Sequence, residues 1–102
     1  MITPALFLAT KLEAFKDRGK GDCYASHDLE DIVTLVDGRT AIVEDVSFAP
    51  SDVRSFIANG FAKMLDAPDF HDALPGHLPA MAGARQRAPL VIDRITAIAA
   101  LA

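Results

Sequence analysis

The stretch Thr3-Pro4-Ala5-Leu6-Phe7-Leu8-Ala9-Thr10-Lys11-Leu12-Glu13-Ala14-Phe15 decides the fold class. Threonine is a good N-cap, because its side-chain oxygen can accept an otherwise unpaired backbone N–H of the first turn. Proline suits the next position, where its missing N–H costs nothing. Leu8, Leu12 and Phe15 then recur at spacings of four and three, the period of one helix face, and Ala5 and Leu6 extend the stripe. The pattern predicts a helix that stops at Gly19. Arg18-Gly19-Lys20-Gly21-Asp22 reads as a flexible, charged loop.

Downstream the same period returns. Ser26 or Asp28 is placed to cap a second helix whose apolar side is Leu29, Ile32, Val33, Leu35 and Val36, with Asp37-Gly38 as its stop signal. Its first turn carries Asp28, Glu30 and Asp31, the sign a helix dipole favours there. Only a short loop separates the first two helices, which predicts a hairpin over residues 4–37. Thr40–Val46 is read as a short third helix. Pro50-Ser51-Asp52 opens a fourth, with Val53, Phe56, Ile57, Phe61, Met64 and Leu65 on its apolar face and Gly60 weakening it by roughly 1 kcal/mol relative to Ala. Pro68–Leu74 predicts another short helix closed by Pro75-Gly76. A last helix is expected to begin near Pro79 and to kink or restart at Pro89, with Leu90, Val91 or Ile92, Ile95, Ile98 and Leu101 helical to the end. The sum is an all-α bundle of five or six helices in a single domain over residues 1–102.

Composition agrees with that reading. A chain of 102 residues suffices for one domain and should bury about 65% of its unfolded surface. With 51% apolar and 24% charged residues it falls in the globular range, which excludes a disordered tail, a collagen-like repeat or a coiled-coil rod. A net charge of −4 lacks the basic surplus of a nucleic-acid module, so no direct nucleic-acid binding is expected. No segment approaches the roughly 18 apolar residues of a membrane span, and the apolar start lacks a basic flank, so neither a membrane segment nor a signal peptide is expected. The lone cysteine, Cys23, fits a reducing compartment and a cytoplasmic location.

Chemistry-bearing residues gather in one place: Lys11, Arg18, Lys20, Asp22, His27, Asp28 and Asp31. In a hairpin, Lys11 can point toward the acidic first turn of helix two. A lysine facing two carboxylates beside a loop is what a phosphate and divalent-ion site would use, since carboxylates are hard ligands for Mg²⁺ and lysine is a point charge for phosphate oxygens. The plainer account of the same residues is a pair of helix-start carboxylates and a surface salt bridge. A metal-phosphohydrolase reading of His27-Asp28 would need histidines before His27, and there are none. Asp69, His71, Asp72 and His77 are sparse and are read as solvated. No phosphate loop, paired-cysteine motif or serine nucleophile elbow occurs.

Phe7 to Phe15, then Arg18-Gly19, then His27-Asp28-Leu29-Glu30-Asp31-Ile32 resembles the C-terminal half of bacterial nucleotidyltransferase-fold proteins. The group is the one that includes the AbiEii and AbiGii toxins of abortive-infection and toxin–antitoxin systems. There a Lys-Leu-x-Ala helix is followed by an arginine, a variable loop and Arg-Asp-Leu-x-Asp-Ile/Leu. Here the pattern reads Lys11 to Ala14, Arg18, then His27 to Ile32, with His27 where the toxins usually carry Arg. The resemblance is specific over residues 5–38. It implies Mg²⁺ and a nucleoside triphosphate as cofactors, and transfer of a nucleotidyl group to a protein or RNA acceptor. It further implies Lys11 as the catalytic, triphosphate-contacting lysine, with Arg18 beside it in nucleotide binding. Asp28 becomes the third active-site carboxylate, and Asp31 a supporting residue on the metal side.

In that family a preceding β-sheet half carries a Gly-Ser motif and paired metal carboxylates. The 102 residues contain neither a Gly-Ser pair nor an Asp-x-Asp pair. The expectation is a truncated helical part, inactive alone. The alternatives are half of a split or misassigned enzyme completed by another chain or by upstream residues, and a plain helical interaction module. Leu6, Phe7, Ile32 and Leu35 are expected not to fit one small core together with residues 53–65 and 90–101. That predicts a homo-oligomer, or a heteromer with the missing half, unless the short helices close over the exposed face.

Overall fold

Thr3 sets the first helix as its chemistry requires. Its Oγ1 accepts the Leu6 backbone N–H at 3.2 Å and its carbonyl accepts that of Phe7 at 2.9 Å, so the helix starts at Pro4. The computed structural model describes residues 3–17, 27–77 and 84–101. They form α1 (Pro4–Asp17), α2 (His27–Gly38), α3 (Ile42–Ser47), α4 (Ser51–Asp66), α5 (Pro68–His77) and α6 (Ala84–Ala99), with no strand among the described residues. The chain is an all-α bundle.

Two helices, α1 and α6, each pack against both α2 and α4, so the four longest helices close into a ring. The short α3 lies against α1, α4 and α6, and α5 lies against α2, α4 and α6. Each ring helix turns one face inward: Leu8 and Leu12 from α1, Leu29, Ile32, Val33 and Val36 from α2, Ile57, Phe61 and Met64 from α4, and Val91, Ile95 and Ile98 from α6. Ile42 and Val46 of α3 and Phe70 and Leu74 of α5 complete the core. Each such side chain contributes roughly 1.5–3 kcal/mol by leaving water, which lets helices too short to stand alone persist together. No helix among the described residues is long and apolar enough to cross a membrane.

The structure departs from the sequence pattern at the prolines. Helix α5 does not close at Pro75-Gly76 but continues to His77, held down on its first two turns by the buried Phe70, Ala73 and Leu74. Pro89 lies inside α6, which is one helix from Ala84 rather than two. A proline removes one helical hydrogen bond. Here Arg87 before it and Arg94 after it both grip α2, and burial of Val91, Ile95 and Ile98 holds the turns that follow. The register of α6 is therefore Val91-Ile95-Ile98, and Leu90 is exposed. The expected start near Pro79 and the stop at Gly19 lie outside the described residues.

Gly60 is more than a weak point in α4. A Cβ built on it would sit 3.3 Å from Leu12 Cδ1, so the bare backbone is what lets α1 lie close to α4. The four side chains expected to overfill the core separate. Ile32 is fully buried, Phe7 and Leu35 are half-buried, and Leu6 stays 44% exposed. The short helices thus take up part of the face, α3 on α1 and α5 on α2. Phe48, just past α3, is 85% exposed.

Candidate functional site

Lys11, on the side of α1 that meets α2, brings the expected residues together. Its Nζ lies 2.8 Å from Asp31 Oδ2 and 3.6 Å from Asp28 Oδ1. The two aspartates are three residues apart on α2, one turn, and so share a face. Neither is its cap. Asp28 lies inside the first turn of a helix that begins at His27. One turn back on α1, the Phe7 ring lies under the same ammonium, 5.5 Å from centroid to Nζ, within reach of a cation–π contact. The Lys11 side chain keeps 25% of its surface in water, Asp28 13% and Asp31 48%.

These contacts raise the Lys11 pKa above the ordinary lysine value. The hydrogen bond to Asp31 is the main cause, partial desolvation opposes it, and the negative charges of Asp31 and Asp28 add to it. With one positive and two negative groups, the cluster is net negative. It suits a cation better than a phosphate, and the cation now seated between the carboxylates is the lysine itself. Mg²⁺ with a nucleotide commonly takes only one or two protein carboxylates, the rest of its shell being phosphate oxygens and water. Asp28 and Asp31 therefore fit the donor chemistry of such an ion only where Lys11 gives way. Among the described residues no group of three or more His, Cys, Asp or Glu side chains is placed to hold a metal ion unaided.

Arg18, Lys20 and Asp22 lie outside the described residues. His27 is exposed, with its Nδ1 3.5 Å from Glu30 Oε2, one turn on. His71 is on α5, and its Nε2 donates to the Leu65 carbonyl at 2.7 Å, tying the start of α5 to the end of α4. Its ring also meets Phe70 edge-on at 5.5 Å.

A second polar cluster escaped the sequence reading. The Arg87 guanidinium from α6 forks onto the Asp37 carboxylate, Nε to Oδ1 at 3.0 Å and Nη2 to Oδ2. Arg94 Nη1 donates to the carbonyls of Val36 and Asp37 at 2.7 and 2.9 Å. The two arginines are seven positions apart, two helical turns, so both face the end of α2. The signal was there to read. Asp37 puts a negative charge at the end of a helix that has no basic residue in its last turn, the arrangement a helix dipole disfavours. A cation from elsewhere had to answer it.

No protein-family model matches this chain, and no curated protein or solved structure shows significant similarity to it.

Proposed function

We propose that this chain is the helical part of a nucleotidyltransferase-like protein, inactive alone and completed by a β-sheet half on another chain or in adjoining residues. The supporting observation is the meeting of Lys11 with Asp28 and Asp31 across α1 and α2, the residues that the resemblance to the AbiEii-type toxins assigns to triphosphate and metal. In this reading Mg²⁺ would supply charge neutralisation of the triphosphate. Lys11 would leave its carboxylates to meet phosphate oxygens, and Asp28 and Asp31 would turn to the metal side. With both ion pairs made, the lysine charge is already neutralised. The isolated chain then has little hold on a triphosphate, which gives a physical reason for inactivity beyond the missing Gly-Ser motif. The test is incubation of the purified chain with Mg²⁺ and radiolabelled ATP, CTP, GTP or UTP. No transfer to itself, to protein or to RNA is expected. Transfer by the chain alone, abolished in Lys11→Ala, would overturn the reading.

A second reading, association with a second copy or with the completing half, is favoured by one observation. Phe48 stands 85% exposed, and Leu6, Phe56 and Leu90 are each more than two-fifths exposed. Each large apolar side chain in water forgoes roughly 1.5–3 kcal/mol of burial. Sedimentation at micromolar concentration is expected to show a species heavier than 10.9 kDa that Phe48→Ser lightens. A monomer in both cases would remove self-association and leave only the heteromer.

A further inference from the structure

We draw no further inference here: the strongest candidate, the exposed apolar surface at the corner between α3 and α4 around Phe48, goes no further than the association already proposed, because nothing in the structure shows what covers it.

Discussion

Helix α2 is held by charge at both ends, and the two ends are held differently. At its start Lys11 reaches across from α1 to Asp28 and Asp31, through a single flexible side chain that keeps a quarter of its surface in water. At its end the Asp37 side chain is 5% exposed and takes a two-point fork from Arg87, while Arg94 satisfies two helix-end carbonyls. The start is the arrangement a ligand can displace, since water and salt already compete for every partner. The end is one in which removing the arginines strands the Asp37 carboxylate and the helix-end carbonyls away from water. The functional reading therefore belongs at the start of α2 and the structural one at its end.

The sharpest way to break that contrast is Asp37→Ala. Losing one partner of a buried pair typically costs 3–5 kcal/mol. Arg87 keeps 37% of its side chain exposed and can recover water, so a loss of about 3 kcal/mol, at the low end, is expected in urea unfolding. The double variant Asp37→Leu with Arg87→Met should lose much less, because it leaves no charge behind. Equal losses in the single and double variants would mean that the fork is a surface contact like the one at Lys11.

Arg94→Met comes next. It removes two charge-assisted hydrogen bonds to the Val36 and Asp37 carbonyls, and about 2 kcal/mol of stability should go with them. Hydrogen exchange should quicken in the last turn of α2 while its first turn is unchanged. Acceleration over the whole of α2 would show that the two ends open as one unit.

Gly60→Val then asks whether α1 is held by packing on α4 or by its ion pairs to α2. The added carbons must push Leu12, whose Cδ1 is already 3.3 Å from where a Cβ would lie. A loss of about 1–2 kcal/mol is expected from overpacking, slightly offset by better helix propensity. A gain in stability would mean that α1 shifts freely, and that the Lys11 pairs alone position it.

Legibility in the sequence followed range. Thr3, Pro4 and the Leu8–Leu12 stripe are neighbours along the chain, and α1 begins where they place it. Lys11 and the α2 aspartates are some twenty residues apart but joined by one short connection, so a hairpin argument reaches them. The Asp37 and Arg87 partners are 50 residues apart in sequence, and no local period announces them. Only the mismatch of an acidic residue at a helix end does. Pro75 read as a stop and Pro89 read as a restart misled for the same reason. The cost of a proline is local, while the burial of Leu74 or Val91 and the grip of Arg87 and Arg94 that outweigh it come from other helices. Gly60 likewise reads as a defect until Leu12 is seen against it.

The smallest effect expected is at Lys11, and its dependence on conditions tells more than its size. The folded-state pKa of Lys11 is raised, first by the hydrogen bond to Asp31. A raised lysine pKa stabilises the fold wherever the unfolded lysine is also protonated, so the contribution is complete below about 10.5. It fades as pH climbs through the higher folded value, because the folded chain then gives up the proton it had held more tightly. Lys11→Met should therefore lower the melting temperature slightly at neutral pH, and less so at 1 M salt, where the Debye length is about 3 Å. The gap to the native chain should narrow further in the alkaline range. Arg94→Met, which removes bonds to two backbone carbonyls rather than to carboxylates, should show the same gap at every one of those conditions. A Lys11→Met deficit that ignored both salt and alkaline pH would make the lysine a packing residue laid on Phe7, and would remove the physical basis for treating the start of α2 as a displaceable site.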